Sequence, residues 1–153
     1  MTGKLTHIDS QGHARMVDVS GKPMQLREAV AKGEIRLQKG TLDLIATDKI
    51  SKGNVLATAR VAGIQAAKKT GELIPLCHPL PITHCEVNFE IPTSRDRIAI
   101  TASAKITAQT GVEMEALTAV AVAALTIYDM CKAVDKEMHI GNIELVRKAK
   151  QDV

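Results

Sequence analysis

Two neighbouring stretches of the chain alternate apolar and polar positions with a period of two. In 83–91, Cys85, Val87, Phe89 and Ile91 stand against His84, Glu86, Asn88 and Glu90. In 97–106, Ile98, Ile100, Ala102, Ala104 and Ile106 share one side. Each pattern predicts a half-buried strand, and the PTSRD segment between them predicts a turn, so the pair reads as a hairpin. Thr110 to Lys136 is patterned differently. Ala116, Leu117, Ala119 to Leu125 and Ile127 leave no solvent-facing stripe, which predicts one long helix inside the protein or covered by another subunit. Thr110 followed by Glu113 predicts a capping box at its start. Its uncharged run is shorter than the roughly 20 residues a bilayer needs, which argues against a membrane span.

The remaining elements are shorter. QLREAVAKGEIRL from Gln25 reads as extended, because Gly33 interrupts any helix. Thr41 to Ala46 reads as a short helix capped by Thr41. Asn54 precedes the Ala-rich VLATARVAGIQAAKKT, a second helix closed by Gly71; Gly63 in its middle predicts close approach of another backbone. LIPLCHPLP at Leu73–Pro81 is a stiff loop, since three prolines remove donors and fix torsions. His139 to Val146 gives a last strand and KAKQDV a solvated tail. In residues 1–20 only Met16–Ser20 looks strand-like, so this segment is expected to be a partly ordered arm, followed by one domain over 21–153. The order strand, two helices, two strands, helix, strand predicts an α+β fold: a ferredoxin-like split βαβ with a four-stranded antiparallel sheet and helices on one face. The open sheet face suggests a homo-oligomer.

Composition narrows the chemistry. Of the 153 residues, 45% are apolar and 1% aromatic, so the core is aliphatic and no aromatic platform for stacked bases is available. A net charge of +3 is too small for a polyanion groove and compatible with a small anionic ligand. Three cysteines without framework spacing, and a polar N-terminus without an apolar leader core, point to the cytoplasm.

Asp129 is the oddly placed charge. It opposes the helix dipole and follows a run expected to be buried, where an unpaired carboxylate costs several kcal/mol. Lys132, three residues on, is its partner in either of two readings: an internal ion pair, or an acid/base pair with mutually perturbed pKa values. For Glu113 and Lys136 the dipole is reason enough. Lys52 stands just before a helix start able to hold an anion, or is a solvated turn lysine. His78, fixed between Cys77 and Pro79, is an oriented acid/base group or a loop histidine bonded to backbone. CHPLPITHC has the composition of a zinc site, but adjacent ligands rarely reach one metal, and His84 and Cys85 point to opposite faces of a strand. His7 and His13 read as solvated. Glu115 and Asp129 lie about 21 Å apart along the predicted helix, so within one chain they cannot share a small reacting centre.

LIPLCHPLP, TGVEMEALTAVAVAALTIYDMCKAV, GNVLATARVAGIQAAKKT, LTHID and MVDVS together resemble the cyclic pyranopterin monophosphate synthase family of molybdenum cofactor biosynthesis, MoaC, over nearly the whole chain. The resemblance implies a lyase acting on 3′,8-cyclo-7,8-dihydroguanosine 5′-triphosphate, forming the cyclic phosphate and releasing diphosphate. It implies a hexamer built as a trimer of dimers with sites at subunit interfaces. It places catalytic groups at Asp129, Lys132 and Lys52, and substrate contacts at Leu76, Cys77, His78, Met114 and Glu115, with Lys22, Arg27 and Lys68 against the triphosphate; His78 joins the catalytic set through its rigid loop placement. No metal, nucleic acid or membrane is implied; whether a divalent cation accompanies the triphosphate stays open. Where the family often has Asp, this chain has Asn54, an equally good cap. A non-enzymatic ferredoxin-like module binding a small anion would fit the sheet and the mild basicity but not an acid/base pair beside a rigid histidine loop.

Overall fold

The computed structural model describes Gly3 and residues 5–153; Met1, Thr2 and Lys4 of the expected arm lie outside the described residues. Eight elements follow in order: β1 (Gln25–Arg36), α1 (Lys39–Ala46), α2 (Val55–Lys68), α3 (Thr70–Leu73), β2 (His84–Glu90), β3 (Arg97–Ala108), α4 (Glu113–Cys131) and β4 (His139–Asp152). The four strands pair antiparallel in the order β2-β3-β1-β4, which is the split βαβ arrangement expected. β1–α2–β2 and β3–α4–β4 each cross over one intervening strand, so the two long helices lie side by side on one face.

Alternation decides which side chains meet the helices. Ala29, Ala31 and Ile35 of β1, and Ile98, Ile100, Ala102, Ala104 and Ile106 of β3, are buried, while their sequence neighbours face outward. The small residues let α4 sit close. A Cβ on Gly33 would stand 2.6 Å from Val120 Cγ1, and one on Gly63 of α2 would stand 2.9 Å from the Ala119 carbonyl oxygen of α4. The close approach expected at Gly63 is therefore onto α4. α4 is long and apolar enough to cross a membrane by composition, but its apolar length packs on α2 and the sheet. A stripe stays open in the single chain all the same, including Met114 and Leu125, the latter 57% exposed.

The structure corrects several element ends. α4 starts at Glu113 after Val112, without a side-chain cap, so Thr110 and Glu113 form no capping box; it ends at Cys131 rather than Lys136. Gln38, not Thr41, precedes α1, and Thr41 lies buried inside it. Asn54 caps α2 as expected, accepting from the Ala57 N–H at 2.9 Å. Gly71 does not close α2 but lies in α3, and the extended Met16–Ser20 segment is no strand; the nearest pairing is an isolated bridge between Ile8 and Ala14. The expected solvated tail is the end of β4, pairing Asp152 with Gln25.

Candidate active site

The N-terminal end of α4 borders a cleft of about 330 Å³. Into it the fold brings Leu76, Cys77, His78, Met114, Glu115 and Lys22, six of the residues expected at the site. The stiff loop after α3 supplies the first three, α4 the next two, and the approach to β1 the lysine. Gly71 fixes the loop from behind: a Cβ there would stand 3.0 Å from Pro79 Cα and 3.1 Å from the His78 carbonyl oxygen. The side of the cleft is bordered by His7, which read as solvated, and by Val17 and Val19 of the stretch expected to be strand-like.

His78 Nε2 lies 2.7 Å from the Val17 carbonyl oxygen. A carbonyl only accepts, so Nε2 carries a proton and donates it there, which leaves Nδ1 to face another partner. Glu115 is 3% exposed. Burial pushes its carboxyl above the ordinary range, and Glu113 adds to the rise while His78 opposes it. Burial and then Glu115 also raise the Cys77 thiol, which leaves it protonated and a poor nucleophile at neutral pH. Glu113, which the helix dipole alone would explain, also lines the cleft and pairs with Lys148 at 3.4 Å.

Arg27 lies next door, in a cavity of about 230 Å³ that shares Gly111 and Glu113 with the cleft. Its Nη2 donates to the Gln109 carbonyl at 3.4 Å, and its buried Nε has no hydrogen-bond partner among the described residues. Lys68, at the C-terminal end of α2, is exposed and does not line the cleft.

The other three residues gather at the opposite end of α4. Lys132 Nζ is 2.9 Å from Asp129 Oδ1, and Lys52 Nζ is 3.0 Å from Oδ2 and donates to the Asp129 carbonyl oxygen, also at 3.0 Å. The antiparallel packing of α2 on α4 makes this possible, because the turn before α2 then meets the last turn of α4. Asp129 is not desolvated as its place in the sequence suggested: its side chain is 57% exposed. Hydrogen bonds from Lys132 and then Lys52 hold its carboxyl below the ordinary range, and the same bond raises the Lys132 ammonium. At neutral pH the trio is thus a carboxylate between two ammonium groups, able to accept a proton at one atom and supply one at another.

Residues 16–151 match the model of the MoaC family. The chain belongs to the MoaC family. Relatives named cyclic pyranopterin monophosphate synthase agree with it almost end to end. The protein of Pelotomaculum thermopropionicum is 60% identical over 95% of this chain and 85% of its own length. That of Roseiflexus sp. is 58% identical over 95% and 92%, and that of Clostridium perfringens strain SM101 is 56% identical over 97% and 94%. Leu76–His78 and Met114–Glu115, expected as substrate contacts, thus share one cleft, while Asp129, Lys132 and Lys52 form a separate cluster. Thr110 and Glu113 carry the sequence signature of a helix start, and that signature masks their place beside the cleft.

Proposed function

We propose that this MoaC-family chain is a cyclic pyranopterin monophosphate synthase of molybdenum cofactor biosynthesis, a lyase that converts 3′,8-cyclo-7,8-dihydroguanosine 5′-triphosphate to the cyclic pyranopterin monophosphate and releases diphosphate. The observation that carries the reading is the carboxylate of Asp129 held between Lys132 and Lys52. Rearranging a reduced purine needs repeated proton transfers. Asp129, ionised at neutral pH, is the acceptor, and Lys132 in its ammonium form is the donor. Lys52 offsets charge as the α-phosphate is attacked and diphosphate leaves. His78, with Nε2 tied to Val17, takes part through Nδ1.

Leu76, Cys77, His78, Met114 and Glu115 hold the purine-derived part, and Lys22, Arg27 and Lys68 meet the triphosphate. The two residue groups lie about 21 Å apart along α4, so each complete site takes the cleft of one chain and the Asp129 cluster of a neighbour. This fits a hexamer assembled as a trimer of dimers in the cytoplasm, with the 21–153 stretch of each chain as the catalytic domain and 1–20 as its arm. Incubation of the purified protein with the cyclised dihydro-GTP should yield the pyranopterin and diphosphate. Asp129→Asn should lower turnover by at least about 100-fold with an unchanged circular dichroism spectrum; wild-type rates in that variant would remove Asp129 from the chemistry.

A further inference from the structure

Asp135 is a buried acid that the chemistry above leaves unused. It is 1% exposed and lies in the turn that follows α4, just beyond Lys132. Its Oδ2 accepts hydrogen bonds from the Gln38 N–H and the Thr41 hydroxyl, each at 2.9 Å, and its Oδ1 accepts from the Glu137 N–H at 3.0 Å. Gln38 precedes α1 and makes no capping bond with its own side chain, so a carboxylate far away in the sequence caps that helix instead. Burial alone would raise the Asp135 carboxyl; the three hydrogen bonds prevail and keep it ionised.

Both partners of this link lead to the Asp129 cluster. On one side the turn hangs from the end of α4, with the Val134 and Asp135 N–H groups donating to the Cys131 carbonyl and Lys136 Nζ donating to that of Lys132. On the other side α1 continues into the turn that carries Lys52, closed by Lys49 N–H to Leu44 O and Gly53 N–H to Ile50 O. The lysines are themselves loosely held, with side chains 45% and 56% exposed at Lys52 and Lys132. Exposed ion pairs define geometry poorly, so backbone placement must supply the alignment.

We propose that Asp135 is a positioning residue, which clamps the turn after α4 to α1 and so holds Lys132 and Lys52 on the two oxygens of Asp129. This rests on the reading of that trio as the acid/base centre.

The test compares Asp135→Asn with Ile98→Val, a core change on β3 remote from the cluster, at temperatures where both remain fully folded. Asp135→Asn should lower kcat by about 10- to 100-fold with little change in KM, the loss expected for a displacement of about 1 Å. It should also move the alkaline limb of kcat downward. The charged and titratable neighbours of Lys132 at this end are Asp129, the Tyr128 phenol, Lys136 on the Lys132 carbonyl and, across Asp129, Lys52. A loosened Lys132 loses the pairing that raises it. If Asp135→Asn does not fold, Thr41→Val removes one of the same hydrogen bonds at nearly constant volume, and Thr41→Ser should restore what Thr41→Val loses. Should the Asp135 and Thr41 variants keep the kcat and pH profile of Ile98→Val, Asp135 is purely structural and the proposal fails. Wild-type turnover in Asp129→Asn would instead overturn the acid/base assignment itself.

Discussion

α4 carries carboxylates shifted in opposite directions, and environment rather than residue type separates them. Asp129 is open to water and held by two ammonium groups, whereas Glu115 is buried beside Cys77 and His78 with its carboxyl pushed up. The consequence for stability has a definite sign. A folded state that binds the Glu115 proton more tightly than the unfolded chain loses stability as pH rises above the ordinary glutamate value of about 4.3. Glu115→Gln should therefore raise the midpoint of thermal unfolding at pH 7, and the gain should shrink as pH falls toward 4. Melting curves across that range check it, and a variant less stable than wild type at pH 7 would refute a burial-raised carboxyl. Activity should fall in the same variant, since a carboxyl kept at a cost in the cleft wall is available to a substrate donor. Residue types were legible in the sequence, environments less so: the apolar run before Asp129 suggested burial, but its position faces the open side of the helix.

At the scale of elements, alternation was a reliable guide where one face is buried and the other wet. The β2–β3 hairpin and the Asn54 cap of α2 lie where the pattern put them. Helix ends were misread where a capping side chain is engaged elsewhere. The Thr41 hydroxyl donates to Asp135, and Glu113 turns to Lys148, so neither serves its own helix. The far end of β4 gave no signal, because its residues are exposed on both faces and its side-chain pairs, such as Arg147 with Glu28 at 2.9 Å, leave no apolar alternation to read. Gly63 was legible as a contact though not as to its partner. Gly63→Ala gains about 1 kcal/mol of helix propensity but drives a methyl to 2.9 Å from the Ala119 carbonyl, backbone that cannot swing aside. Overpacking of this kind costs about 1–3 kcal/mol. Denaturant unfolding should show Gly63→Ala to be less stable than wild type by about 1 kcal/mol, and Gly63→Val by more; a stabilised Gly63→Ala would mean that the two helices can move apart freely.

On the scale of the whole molecule, the separation of the two residue groups is the governing fact. One helix of 19 residues holds them at opposite ends, and no side-chain motion closes about 21 Å. The same chain leaves apolar surface open where a neighbour would cover it: Val61 on α2 is 56% exposed, Leu125 on α4 57% and Val146 on β4 54%. A site shared between chains makes a prediction that a site within one chain cannot. Asp129→Asn and Glu115→Gln should each be inactive alone. In a two-fold pair containing one of each, one of the two sites draws an intact Asp129 from one chain and an intact Glu115 from the other, and the second site lacks both. Random exchange of equal amounts should therefore restore about one quarter of wild-type turnover. The measurement is a rate assay before and after the two variants are co-refolded, with each variant refolded alone as the reference. If co-refolded material that has demonstrably exchanged chains stays inactive, both groups act within one chain, and the substrate must then reach along the length of α4.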